Sequence, residues 1–122
     1  MSSLAYVAAI LACGAGAVVR FSLTKIRGTW RFPWPTLLAN ALGSLALGAI
    51  AHAVLTAPHP DELMLIAGGG FAGGLTTFSS LAVDAVVLWR GDKRARAAAY
   101  LAASFAAGLL CAAAGWALAS AA

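Results

Sequence analysis

Gly68-Gly69-Gly70-Phe71-Ala72-Gly73-Gly74-Leu75-Thr76-Thr77-Phe78-Ser79-Ser80-Leu81 lies inside a long apolar run from Leu63 to Trp89. It begins with five glycines in seven residues, enough to weaken or break a helix. In lipid, a break strands backbone N–H and C=O groups. Such backbone is tolerated only where it is buried in protein or lines a polar cavity. The alternative is that the glycines serve only close helix packing. The hydroxyls of Thr76, Thr77, Ser79 and Ser80, four in five positions, weigh against that and read as a polar track. No lysine follows the glycines, which excludes a phosphate-binding loop.

The surrounding chain sets the solvent. Of 122 residues, 62% are hydrophobic and only 10% charged, against about 25% charged in soluble domains. So much apolar surface demands lipid. A crossing takes about 20 apolar residues, so the length holds four spans and no second domain. They fall at 4–21, 35–56, 63–89 and 97–119, giving an all-α integral membrane fold with a break in the third helix. Pro35 suits a first helical turn, and Asp61 stands where an N-cap would be. Ser44-x-x-x-Gly48 is a small-x-x-x-small pair, which lets helix backbones approach. Cys13 and Cys111 sit in apolar runs and read as buried thiols, with no ligand spacing for a metal. The net charge of +4 does not imply nucleic-acid binding, because no soluble face remains to carry it. No nucleophile–base pair or metal set marks an enzyme.

In a membrane chain, basic residues report orientation. Of the eight Lys and Arg, seven lie in the loops after spans one and three (Lys25, Arg27, Arg31, Arg90, Lys93, Arg94, Arg96), and Arg20 sits at the same end of span one. Both termini are therefore expected outside the cytoplasm. Trp30, Trp34 and Trp89 flank the basic loops, with Tyr6 and Trp116 towards the other ends, as interfacial aromatic belts require.

Three motifs run in order through essentially the whole chain: Gly16-Ala17-Val18-Val19-Arg20-Phe21 in span one, Pro35, Asn40, Gly43-Ser44 and Gly48 in span two, and Gly73-Gly74-Leu75-Thr76-Thr77-Phe78-Ser79 in span three. With these motifs the sequence resembles the Fluc-type (CrcB) fluoride channel family. The resemblance implies an antiparallel dimer of four-helix subunits in the bacterial inner membrane. Two fluoride paths would run along the dimer interface, with a structural sodium ion at its centre. The carbonyls of Gly73 and Thr76 would hold the sodium, a hard cation that prefers oxygen ligands. The fluoride pore would use Asn40, Phe78, Ser79, Ser80, Leu81, Tyr100 and Ser104. Asn40 brings an amide donor to mid-span, and Tyr100 and Ser104 share a helix face at i and i+4. The positive edge of the Phe78 ring solvates an anion without a full charge that would trap it. The bland alternatives are a helix–helix hydrogen bond for Asn40, a back-bonded serine for Ser104 and an interfacial tyrosine for Tyr100.

One position departs from the family pattern: Leu81 stands where a second phenylalanine is expected, and leucine has no positive edge. Arg20 and Asp84 are ionisable groups within spans and so functional candidates. They pair, or Arg20 makes a vestibule positive with Asp84 moderating it, or Arg20 snorkels as a plain anchor; the vestibule role is preferred. The charge bias bears on the partner. An antiparallel homodimer needs one sequence to insert both ways, whereas all the basic residues here lie on one side. The partner is therefore expected to be an oppositely oriented paralogue, the alternative being a homodimer formed by mixed insertion. Two rival functions stand beside the channel. A proton-coupled small multidrug transporter needs an intramembrane carboxylate, for which Asp84 is the only candidate. A non-conducting assembly partner would need neither the break nor the polar track.

Overall fold

The computed structural model describes residues 2–26 and 32–122. Arg27, Trp30 and Arg31, which the sequence places in the first basic loop, lie outside the described residues. Among the described residues, four helical stretches are long and apolar enough to cross a membrane: Ser3–Leu23, Trp34–Thr56, Pro60–Arg90 and Arg94–Ala121. The chain is a multi-pass, all-helical membrane protein.

The first span, α1 (Ser3–Leu23), starts at Ser2, whose hydroxyl accepts from the Ala5 N–H and satisfies one of the free donors of the first turn. The second, α2 (Trp34–Ala53), carries Pro35 in its first turn, where a missing N–H costs nothing, and ends in a 3-10 turn at Val54–Thr56. The third span comes in two pieces. Its first piece, α3 (60–75), runs as an α turn at Pro60–Leu63, a π-helical segment at Met64–Ala72 and a last α turn at Gly73–Leu75. Its second piece is α4 (Ser79–Arg90). The fourth span, α5 (Arg94–Ala121), is unbroken over 28 residues.

Three expectations change here. The glycine run does not break the helix. It stays wound, in the wider π form, and the interruption falls just after it at 76–78. Asp61 is not the N-cap: the α3 helix starts at Pro60 after His59, and Asp61 and Glu62 occupy the first turn, where negative charge is favoured by the helix dipole. Cys13 is exposed rather than buried, and Cys111 is only half-buried; α1 turns Ala5, Ala9, Ala12 and Gly16 inward and leaves the Cys13 side chain outside.

Two helix pairs build the bundle, and in each the backbones nearly touch. Along α1 and α3, a Cβ added at Gly16 would collide with the Phe71 carbonyl, and one at Gly74 with the Cys13 carbonyl. Along α2 and α5, a Cβ at Gly48 would meet the Ala112 carbonyl. Ser44, one turn before Gly48, faces Gly108, so the small-x-x-x-small pair does seat one helix on another. At the basic end, an apolar cluster of Leu37, Leu81, Ala85, Leu88, Ala97 and Tyr100 joins α2, α4 and α5. Leu4, Leu109 and Leu110 are among the many large apolar side chains left on the outside, as a lipid solvent allows.

Candidate functional site

The interruption at 76–78 is where unpaired backbone would be most costly, and side chains take over the bonds that the helix gives up. Thr76 is extended (φ −84°, ψ 158°). The amide of Asn40 on α2 clamps Thr77 from both sides: the Thr77 N–H donates to Asn40 Oδ1 at 2.7 Å, and Asn40 Nδ2 donates to the Thr77 carbonyl at 3.0 Å. That first bond removes the donor that a continuous helix would offer to the Gly73 carbonyl. Arg20 reaches in from α1, its Nε donating to the Gly74 carbonyl at 3.2 Å. The Thr76 hydroxyl turns back onto the Ala72 carbonyl at 3.0 Å. Thr77 then caps α4, its Oγ1 accepting from the Ser80 N–H at 3.1 Å.

Beside the break lies a groove of about 470 Å³, open on the face of the bundle. Asn40 and Ser44 of α2 contribute one wall, Thr76, Thr77 and Phe78 of the break another, and Ser104 of α5 a third, with Leu81 also lining it. Phe78 is 78% exposed, so its ring stands free at the edge of the groove. Ser104 Oγ is buried without a hydrogen-bond partner. A helical serine ordinarily bonds back to its own helix; this one does not, so a residue of the groove lining carries a buried hydroxyl with no protein partner.

The groove thus brings together Asn40, Phe78, Leu81 and Ser104. It does not include Ser79, Ser80 or Tyr100. Ser79 lies at the exposed start of α4, its hydroxyl 3.2 Å from that of Thr77. Tyr100 is fully buried in the apolar cluster. Its hydroxyl is drawn inward by Asp84 at 3.3 Å, and the same carboxylate oxygen accepts from the Thr36 hydroxyl at 2.8 Å. Asp84 and Arg20 therefore have separate partners. Thr36 escaped sequence reading, although its place one turn before Asn40 put it on the same face of α2.

The carbonyls proposed for sodium fit that role in part. Gly73 O has lost its helical donor and keeps only a 3.4 Å contact from the Thr76 hydroxyl. It also lies at the C-terminal, electronegative end of a half-helix. Two carbonyls make an incomplete shell, so the remaining ligands would have to come from a partner. Among the described residues, no group of three His, Cys, Asp or Glu side chains is placed to hold a metal.

A membrane bundle with a discontinuous span, side-chain caps at the break and a groove lined by amide, hydroxyl and aromatic groups is the architecture of an ion pathway. Residues 7–116 match the family model described as CrcB-like protein, Camphor Resistance (CrcB). The chain is 39% identical over 113 residues to the fluoride-specific ion channel FluC 1 of Rubrobacter xylanophilus, covering 87% of this chain and 86% of that one. It is 38% identical over 104 residues to FluC 1 of Ligilactobacillus salivarius (84% and 88% covered). To FluC 1 of Thermobifida fusca it is 39% identical over 107 residues (84% and 86%). The chain belongs to the CrcB/FluC fluoride channel family. This is a family of channels, not of enzymes, and it sets aside the multidrug transporter.

Proposed function

We propose that the chain is one subunit of a passive, fluoride-selective channel of the bacterial inner membrane, with both termini outside the cytoplasm. Two such subunits would pair antiparallel, each covering the other's open groove. The observation that carries this reading is the groove itself, which Asn40, Phe78 and Ser104 line together, Ser104 with a buried hydroxyl that has no protein partner. Fluoride must exchange its water for other donors. The Asn40 amide has two N–H groups and spends one on Thr77, so one remains for an ion. Ser104 adds an O–H, and Phe78 adds its ring edge. Ser79, Ser80 and Tyr100 would join the path only in the dimer or after a side-chain turn. Arg20, besides capping Gly74, would hold positive potential at the mouth. Sodium would sit on the Gly73 and Thr76 carbonyls of both subunits and neutralise the oxygens gathered at the two breaks. Passive anion efflux driven by the inside-negative potential would then lower cytoplasmic fluoride.

The partner is proposed to be an oppositely oriented paralogue, on the strength of the one-sided basic residues. A reporter fused to the C-terminus tests this: one location supports the heterodimer, and comparable amounts on both sides support a homodimer. For the function, a fluoride-sensitive bacterium lacking its own exporter would be given this chain, with and without the paralogue. Recovered growth in fluoride supports the channel, whereas failure in both settings favours a non-conducting assembly partner.

A further inference from the structure

The groove has an aromatic deficit and, in the same walls, an aromatic surplus. Leu81 occupies the position where an aromatic ring is expected, and it is 9% exposed, packed with Leu37, Ala85, Leu88 and Tyr100. It forms an apolar floor with no positive edge to offer. Across the groove, directly after the unpartnered Ser104, α5 carries Phe105. Its ring is 67% exposed and lines the groove that Asn40, Phe78 and Leu81 also line. Its neighbours along the helix are Ala102, Ala103, Ala106, Ala107 and Gly108, so nothing in the local sequence calls for a bulky ring. Among the described residues, Phe105 takes part in no ring–ring contact, unlike Phe32, which is held between Trp34 and Tyr100. The Phe105 edge is therefore not spent on another ring.

We infer that Phe105 supplies the second aromatic edge of the anion path, in place of the ring absent at position 81. The geometry favours this division of labour. Phe78 and Phe105 line the groove from different elements, and Asn40 and Ser104 line it with them. A partly desolvated anion would meet hydrogen-bond donors and two quadrupole edges with no full charge in direct contact, which is the moderate binding that conduction needs. Phe105 would then be a selectivity-determining residue rather than lipid-facing bulk. This inference rests on the fluoride-channel reading.

The test is a compensation experiment in liposomes, using whichever preparation conducts with the wild-type chain, alone or with its paralogue. Phe105→Leu keeps the apolar bulk and removes the ring. Fluoride efflux should fall about tenfold, with dimer elution on size exclusion unchanged. Adding Leu81→Phe to that variant should restore efflux to within a few-fold of wild type, and Phe105→Tyr should retain it. Wild-type efflux from Phe105→Leu would overturn the inference, and so would a loss that Leu81→Phe does not repair. No fluoride movement by the wild type in either preparation would overturn the channel reading first, and this inference with it.

Discussion

The third span contains two adjacent regions that ought to behave alike and do not. Residues 68–74 are rich in glycine yet stay helical, while 76–78, with no glycine at all, leave the helix. Glycine lowers the cost of leaving a helix, but in lipid the deciding quantity is whether the freed N–H and C=O groups find new partners. Around the glycines the neighbours are backbone and apolar side chains, so the helix is kept, in the wider π winding as far as Ala72 and as an α turn at Gly73–Leu75. At 76–78 the partners exist: Asn40 for Thr77, Arg20 for Gly74, and the threonines' own hydroxyls. The span breaks where other spans offer polar groups, and of these Asn40 also lines the groove.

The largest expected effect comes from removing the clamp. Asn40→Leu strands both the N–H and the C=O of Thr77, at about 1–3 kcal/mol for each. Fluoride efflux should drop by about a hundredfold or more, and the folded protein should elute in lower yield. Near-normal efflux would mean that the break is held by something other than Asn40.

Next comes Gly74→Ala, which drives a Cβ into the backbone of Cys13. Overpacking of this kind costs about 1–3 kcal/mol, read as a lower melting temperature in detergent. Arg20→Gln is expected to act more mildly, because glutamine still offers an N–H to the Gly74 carbonyl while losing the charge. Efflux should fall several-fold at low salt and less at high salt. An equal loss at both would count against a role for the Arg20 charge in drawing anions to the mouth.

Gly69→Ala should do least. A Cβ there meets only the Met64 carbonyl at 3.9 Å. The alanine gains up to about 1 kcal/mol of helix propensity. If Gly69→Ala proved as damaging as Gly74→Ala, the glycines would be needed for backbone freedom rather than for close approach at particular positions.

The four spans were legible in the sequence because hydropathy is a summed property that no single contact overrides. The discontinuity was legible too, since glycines and hydroxyls seldom crowd mid-membrane without cause, but its place was not. Its position depends on Asn40 and Arg20 arriving from other helices, and one sequence does not reveal that register. The same limit explains Tyr100. The i, i+4 spacing puts it on the Ser104 side of α5, but the Asp84 carboxylate arriving from α4 draws its hydroxyl into the interior. Phe105 went unread because one exposed aromatic in an alanine-rich span looks like ordinary lipid-facing surface. Only the shared groove distinguishes it.

The most direct measurement is ion efflux from liposomes carrying the purified chain, alone and with the proposed oppositely oriented paralogue, followed with fluoride- and chloride-selective electrodes. The account predicts rapid fluoride efflux, negligible chloride efflux, and loss of the fluoride signal in Asn40→Leu. Equal passage of both ions, or fluoride silence in both preparations, would contradict it.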